Sequence, residues 1–320
     1  MMVFLYAVLV FLILRFCVTL FNFLSNPKLG YYGKHFTDPV SVIVLSAPAE
    51  GNLERLTESF NAQGYKDAEL IVQQNESIAE LVERAAGAYL LFITPETTLH
   101  HGLINSLIYR LKIFNLAVIN VVPTYRASGF LAQCIYPLND FLLLNLFPLR
   151  LIRLSNFSAF AAGSGNCFFF DAARYKQLNW NEKPGTNLPP AAELVKQVKQ
   201  QQFGAEVLLA NKLIRQDVGE AAARNVARQL LLNFSDSGLA ALVYVALVVF
   251  GPVVVLFNFE PALLILPVGL IFLSRVMISF LTAQNPLRNV LLHPVQMVVL
   301  LLLVLKFIGL RIRKAIKLKK

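Results

Sequence analysis

YLLFITPETTL, the segment from Tyr89 to Leu99, decides the fold of this chain. Its first five residues are aromatic or aliphatic, which predicts a buried strand, and Thr94, Pro95 and Glu96 end the run. In α/β folds, ligands collect at the carboxyl ends of such strands. A metal-assisted phosphate site at this tip would need two carboxylates, and the segment offers one. It therefore predicts a sheet strand that lacks part of the usual ligand chemistry.

Strand-like and helix-like segments alternate before this stretch, which predicts a parallel sheet with right-handed crossovers. The β-branched run Ser41–Leu45 ends at a turn, and Asn52 is suited to cap a helix. The predicted order is strand Ser41–Leu45, helix Asn52–Gln63, strand Ala68–Val72, helix Ser77–Ala86 and strand Tyr89–Ile93.

The pattern continues after the opening segment, so the fold class is α/β with a mostly parallel sheet. The predicted elements are helix Gly102–Asn115, strand Ala117–Val122, strand Cys167–Asp171, helix Ala191–Gln202, strand Ala205–Ala210 and helix Gln216–Asn233. We place the globular domain at residues 38–236.

Apolar blocks at both ends of the chain predict an integral membrane protein. The sequence is 56% hydrophobic and 15% charged, and Met2–Leu24 is long enough to cross a bilayer as a helix. Residues 237–310 contain three more blocks: Leu239–Phe257, Ala262–Leu281 and Val290–Ile308. A basic tail, residues 311–320, follows them.

Residues 1–25 favour an anchor over a signal peptide, because the apolar block is long and has neither a charged n-region nor a small-residue cleavage site. Arg15 within it is costly at depth. We expect Arg15 to snorkel to the boundary; the alternative is that it faces a neighbouring helix.

Phe130–Ile152 is strongly apolar but contains Pro137 and Pro148, so residues 130–152 predict helical pieces lying on the membrane surface. The alternative is a core helix of the globular domain. Three cysteines, Cys17, Cys134 and Cys167, are too few and too widely spaced for a disulfide framework.

The net charge of +10 is concentrated in the tail, Arg311–Lys320, which carries six positive residues and no acidic one. Behind a membrane segment, such a tail favours anionic lipid headgroups as partners rather than nucleic acid.

Five phrases, in order, carry a resemblance: PVSVIVLSAPAEGNL, AELIVQQNES, AAGAYLLFITPETTLHHG, GSGNCFFFDAARY and AELVKQVKQQQFGAEVLLANKLIR. Together they resemble the membrane-anchored family 2 inverting glycosyltransferases with a GT-A fold. The narrower resemblance is to ceramide-glucosyltransferase-like and carotenoid-glycosyltransferase-like proteins. It implies a nucleotide-sugar donor, a lipid acceptor, and Mg²⁺ or Mn²⁺ if the protein is active.

The donor-binding motifs of that family fall on altered residues here. The loop after the first strand ends at Glu50, and the usual Asp-Asp-Gly-Ser stands at 74–77, which include Asn75 and Ser77. The metal-binding Asp-x-Asp corresponds to Thr94-Pro95-Glu96. Glu96 is therefore the one candidate metal ligand, with a solvated turn acid as the alternative.

The catalytic base of the family falls on Ala191, which cannot accept a proton, and Glu193 is the nearest acid in sequence. Asn166 stands where relatives bind the acceptor, with a structural turn as the alternative. His100 would face Glu96 if the segment were helical; otherwise it is a solvated turn residue.

These losses leave three hypotheses: a catalytically inactive or weakly active partner of an intact glycosyltransferase, an active lipid glycosyltransferase with an unusual metal site, or a lipid-binding or lipid-translocating protein. We favour the first and expect no cofactor.

The domain is expected at the cytoplasmic face of a bacterial inner membrane, because Lys28 and Lys34 follow an anchor preceded by no basic residue. Three C-terminal crossings would place the tail outside; if Ala262–Leu281 does not cross, the tail lies inside.

Overall fold

The structure, a computed structural model, describes residues 2–46, 50–155, 157–178, 188–220 and 237–318. The chain divides into two compact units. We call Pro27–Arg126 with Leu149–Val218 the sheet unit, and Met1–Asn26, Ala127–Pro148 and Gly219–Lys320 the helical unit.

Six strands form the main sheet of the sheet unit, which confirms the predicted α/β class with a mostly parallel sheet. In spatial order they are β2 (Ala68–Val72), β1 (Val40–Val44), β3 (Tyr89–Ile93), β7 (Phe168–Asp171), β5 (Leu116–Val122) and β8 (Gly204–Leu209). Strand β1 is parallel to both β2 and β3, and β5 is parallel to β8, whereas β7 runs antiparallel to its two neighbours.

The core of this unit lies along the central strands, because β1, β3 and β5 are buried over their whole length. Such continuous apolar runs are typical of strands covered on both faces. The helices of the unit are α2 (Glu50–Asn61), α3 (Ile78–Arg84), α4 (Leu103–Ile113), α6 (Leu149–Leu154), α7 (Ala172–Gln177) and α8 (Ala191–Gln200). The helix predicted from Asn52 begins earlier, at Glu50, so Asn52 is not its N-cap.

A second, three-stranded sheet was not predicted. It pairs β4 (Thr97–Leu99), β9 (Ile214–Val218) and β6 (Thr124–Ala127) in the order β4, β9, β6. The prediction of a helix from Gln216 is wrong at its start, because Gln216 lies in β9 opposite Thr97. Residues 221–233 of that predicted helix lie outside the described residues.

The helical unit contains α1 (Met2–Ser25), α5 (Phe130–Leu146), α9 (Gly238–Asn258, with a π-helical turn at Ala246–Phe250), α10 (Ile265–Leu281), α11 (Pro286–Leu291) and α12 (His293–Leu318). Among the described residues, α1 and α9 are long and apolar enough to cross a membrane. Helix α10 and the apolar part of α12, His293–Gly309, are shorter.

Helix α5 runs unbroken through Pro137, and its residues from Cys134 to Asn145 are all buried. Helix α5 is therefore covered by protein within the helical unit, and the membrane-surface position of residues 130–152 stays a prediction. Arg15 of α1 does not snorkel, because it is buried, donates from Nε to the Asn145 side chain, and contacts the Phe141 ring. Arg15 also lines a largely apolar cavity of about 70 Å³ within this unit.

Candidate functional site

Three strands end together at one edge of the main sheet. Val44 of β1 is in register with Val72 of β2 and with Ile93 of β3, so the residues that follow these three lie side by side. This is the edge at which ligands bind in open α/β sheets. It is the place where the sequence predicts the donor-binding motifs.

The loop after β2 is organised by Gln73, which sequence reasoning missed. Gln73 is 3% exposed; its Oε1 accepts from the Ser46 backbone N–H at 2.8 Å, and its Nε2 donates to the Glu76 carbonyl at 2.8 Å. The side chain thereby joins the ends of β1 and β2. A neutral amide in this position satisfies backbone groups instead of presenting charge to a ligand.

Asn75 and Ser77, the two predicted donor-binding residues of this loop, differ in their hydrogen bonding and exposure. Asn75 is exposed at the loop surface. Ser77 is the N-cap of α3: its hydroxyl accepts from the Glu80 backbone N–H at 3.3 Å, and the Glu80 carboxylate accepts from the Ser77 N–H at 2.7 Å. This capping box gives Ser77 a structural role.

The tip of β3 is occupied by an uncharged hydrogen-bond cluster. Gln216 Nε2 donates to Thr94 Oγ1 at 2.9 Å and to Thr97 Oγ1 at 3.1 Å. The β4–β9 ladder sets this contact, because Thr97 and Gln216 are directly opposite each other. Gln216 and Thr97 are both buried. We call Thr94, Thr97 and Gln216 the strand-tip cluster.

Glu96, the predicted metal ligand, is exposed and does not join the strand-tip cluster. It lines a shallow depression together with Asn52, Arg55 and Asp217. Arg55 Nη1 lies 3.7 Å from Asp217 Oδ2, so the second carboxylate of the depression already has a cationic neighbour. The side chain of Glu50 lies outside the described residues.

The strand-tip cluster does not fit a divalent metal on a diphosphate, and the role of Glu96 as a metal ligand stays a prediction. Mg²⁺ and Mn²⁺ select hard oxygen ligands, usually including one or two carboxylates. The strand-tip cluster offers hydroxyl and amide groups, and no cluster of three or more His, Cys, Asp or Glu suited to a metal occurs in the described part of the chain.

The suggested pairing of Glu96 with His100 also fails on geometry. The helical i, i+4 spacing does not apply, because Thr97–Leu99 is a strand. The pKa of His100 is lowered by burial and by the nearby cations Arg215 and Arg126. A histidine in this setting is held in its neutral form by its surroundings.

Ala191, at the predicted base position, is the first residue of α8 and is 7% exposed. The backbone of Gly163 passes so close that a Cβ built there would stand 2.8 Å from the Ala191 Cβ and 3.0 Å from Asn120 Oδ1. Asn120 itself fixes this loop: its Nδ2 donates to the Cys167 carbonyl at 3.0 Å, and its Oδ1 accepts from the Ser164 N–H at 3.0 Å. The base position is therefore filled by close packing.

The remaining predicted site residues lie at the surface or in a turn. Glu193 is exposed and accepts from Gln197 Nε2 at 2.9 Å, an ordinary i, i+4 contact on α8. Asn166 is half-buried and follows Gly165, whose φ of +71° marks a tight turn. Their predicted roles as base and acceptor contact stay predictions.

No protein-family model and no curated protein matches this chain. Among solved structures, it is similar to S. aureus TarS (residues 1–349) in complex with UDP, with 12% identity, a TM-score of 0.36, and coverage of 78% of this chain and 89% of that chain. It is also similar to TarS 1–349 in complex with UDP-GlcNAc, with 11% identity, a TM-score of 0.38, and coverage of 75% and 81%.

Proposed function

We propose that this chain is a membrane-bound homologue of family 2 inverting glycosyltransferases in which the sheet unit no longer transfers sugar. It serves as an inactive partner of an intact glycosyltransferase at the cytoplasmic face of the membrane. The observation that carries the proposal is the strand-tip cluster, in which the Gln216 amide is bonded to the Thr94 and Thr97 hydroxyls.

The charge balance at the strand ends supports this proposal. A departing nucleoside diphosphate needs positive charge, supplied in this family by a metal that carboxylates hold. Gln73 bonds to backbone groups of Ser46 and Glu76, and the members of the strand-tip cluster bond to one another; all of these groups are neutral. Because those donors and acceptors are already paired, a metal would have to break these contacts and would gain no charge in return.

The residues at the predicted base position on the acceptor side also support the proposal that the sheet unit does not transfer sugar. A base that removes the acceptor proton contributes roughly 10²–10⁴-fold to the rate. Ala191 has no titratable group, and Gly163 closes the space beside it. Glu193 lies on the exposed side of α8, paired with Gln197.

The direct test is a binding and turnover experiment on the purified full chain. Isothermal titration with UDP-GlcNAc and other nucleotide-sugars, each with and without Mn²⁺, should show no Mn²⁺-dependent binding, and no sugar should be released. The contrary result would be hydrolysis of, or sugar transfer from, any nucleotide-sugar by the original protein, together with loss of this turnover in a folded Glu96→Ala variant. That result would show a working enzyme with a reduced metal site. Asp217→Asn is the matched control, because it removes the other carboxylate of the same depression.

A further inference from the structure

Arg15 of α1 is a buried cation without an anionic partner. It is 8% exposed, and its guanidinium donates from Nε to the side-chain oxygen of Asn145, a neutral group. No described residue bonds to Nη1 or Nη2 or forms an ion pair with Arg15. Burying a charge is costly unless an opposite charge and hydrogen bonds compensate it. The guanidinium therefore keeps an unneutralised charge and, at its Nη1–Nη2 edge, unused donors.

The buried acid of the helical unit does not supply the missing charge. Among the described residues of this unit, Asp140 is the one buried carboxylate, and it interacts electrostatically with Arg275, which is also buried. Arg275 Cζ and Arg15 Cζ lie 4.5 Å and 5.1 Å from the centroid of the same ring, that of Phe141. Two arginines and one aspartate leave a formal charge of +1, so one further anion would neutralise the group.

Arg15 lines the cavity of about 70 Å³ in the helical unit, and it is the only Arg, Lys, Asp or Glu in that lining. Most of the other lining side chains are aliphatic groups of α1, α9 and α10. Two polar ones are already engaged: Asn145 Nδ2 donates to Thr19 Oγ1 at 2.6 Å, and the Ser274 hydroxyl donates to the Leu270 carbonyl at 2.8 Å. An apolar cavity with one cation suits an amphiphile that carries one negative charge.

The cavity opens at the outer surface of the helical unit. Leu256 of α9 and Val268 of α10 line it and are 55% and 51% exposed. Phe257, Leu263 and Ile265 are also exposed, so a hydrocarbon chain can continue from the cavity over apolar surface. An apolar protein cavity of about 150 Å³ holds one benzene molecule. A cavity of about 70 Å³ therefore admits a carboxylate with a few methylene groups, but not a phosphodiester with its glycerol.

We propose that this cavity binds the carboxylate end of a long-chain fatty acid. The two carboxylate oxygens accept hydrogen bonds from Nη1 and Nη2 of Arg15, as in other bidentate arginine–carboxylate pairs. The first methylene groups fill the cavity, and the chain leaves it past Leu256 and Val268. The proposal rests on the membrane location proposed for the chain, but not on the loss of sugar transfer. Fatty-acid binding and nucleotide-sugar turnover are measured in separate assays, so either can fail alone.

The test uses the full chain in phosphatidylcholine nanodiscs, and its probe is palmitate that carries a photoreactive diazirine in the chain. After irradiation, cross-linked peptides are identified by mass spectrometry. We expect cross-links in the peptides that contain Leu256 and Val268, and we expect unlabelled palmitate to compete. Hexadecanol has the chain without the charge, acetate has the charge without the chain, and phosphatidylglycerol is an anionic diacyl lipid. Each of these three should need at least a tenfold higher concentration than palmitate to compete.

Arg15→Gln should raise the probe concentration needed for half-maximal cross-linking at least tenfold, because it removes the charge-assisted hydrogen bonds. The matched control is Arg288→Gln, which removes an exposed arginine of α11 in the same unit. It should leave cross-linking unchanged.

A second pair of variants keeps the test valid if Arg15→Gln does not fold. Val268→Trp enlarges an exposed side chain at the opening of the cavity and should weaken cross-linking several-fold. Leu266→Trp enlarges an exposed side chain of the same helix that does not line the cavity, and it should have no effect. Competition by hexadecanol, acetate or phosphatidylglycerol at the same concentration as palmitate would overturn the proposal. So would undiminished cross-linking in folded Arg15→Gln or Val268→Trp protein, or equal weakening by both tryptophan variants.

Discussion

Introducing a carboxylate at Ala191, the predicted base position, should destabilise the protein instead of creating a catalytic base. In Ala191→Asp, the new side chain starts from a buried Cβ beside the backbone of Gly163. A Cβ built on Gly163 would stand 2.8 Å from the Ala191 Cβ and 3.0 Å from Asn120 Oδ1. The Asn120 side chain already donates to the Ser164 and Cys167 carbonyls, at 3.2 and 3.0 Å. The carboxylate is therefore introduced into a closely packed place where the neighbouring Asn120 amide donor is already in use.

The size of the effect follows from two opposing contributions. Burying a charged group without a partner costs more than the roughly 1–3 kcal/mol of a neutral polar group. Position 191 is the first residue of α8, where the helix dipole favours a negative charge by about 0.3–1 kcal/mol. We expect a net loss of about 2–4 kcal/mol, which corresponds to a fall in Tm of about 5–15 °C for a unit of this size.

The loss should depend on pH in a defined direction. Burial raises the pKa of the introduced aspartate above its unfolded value of about 4. The native state then binds more protons than the unfolded state between the two values, so stability falls as pH rises through that interval. The deficit of Ala191→Asp should be full at neutral pH and should shrink as the pH approaches 4.

Ala192→Asp is the matched control, because residue 192 belongs to the same first turn of α8 but is only half-buried. It gains the same helix-dipole contribution without full burial, so its Tm should stay within a few degrees of the original. An Ala191→Asp protein as stable as Ala192→Asp, with no difference in pH dependence, would refute the reasoning. It would mean that the base position has room for an aspartate.

Three further results are expected. Gln73→Ala should lower the free energy of unfolding by about 1–3 kcal/mol, because the Ser46 N–H and the Glu76 carbonyl lose their partner; exposed Asn75→Ala is the control, and equal effects would contradict this role. Burial lowers the pKa of Lys199 to about 8, so above this pH the unfolded state binds more protons than the native state. The free energy of unfolding should therefore rise as pH increases above about 8. A rise that persists in Lys199→Met would contradict this assignment. Glu96→Ala should change stability by at most about 0.5 kcal/mol in denaturant titration, and a larger loss would reveal an unrecognised contact.

The first half of the main sheet was predictable because its strands carry continuous apolar runs that end at turn residues. The predicted Ala68–Val72 and Tyr89–Ile93 match the structure, and Ser41–Leu45 differs by one residue at each end. Strand β9 was missed because the polar Gln216 occupies an inward position between buried Ile214 and Val218. A polar amide at an inward position interrupts the alternation of apolar and polar residues on which a strand prediction depends.

The strand-tip cluster was not predictable from local patterns, because Gln216 is far in sequence from the two threonines that it contacts. Gln216 lies 122 residues after Thr94, and only the pairing of β4 with β9 brings the two side chains within 2.9 Å. Sequence reasoning found that carboxylates were missing at this tip. Nothing in the sequence indicated which residues form the hydrogen bonds at this tip.

Carboxylates introduced at the strand ends would depend on one another physically. Carboxylates held close together repel each other unless a cation lies between them, and one pKa of the pair is then strongly raised. Without a metal, neutral hydrogen-bond partners are more favourable than carboxylates at these positions. Thr94 has the Gln216 amide as its partner, and Gln73 has the backbone of Ser46 and Glu76. Restoring one acid, as in Thr94→Asp, would place a charge beside an amide and a hydroxyl that cannot neutralise it. Thr94→Asp alone is therefore expected to add an unfavourable charge without creating a metal site.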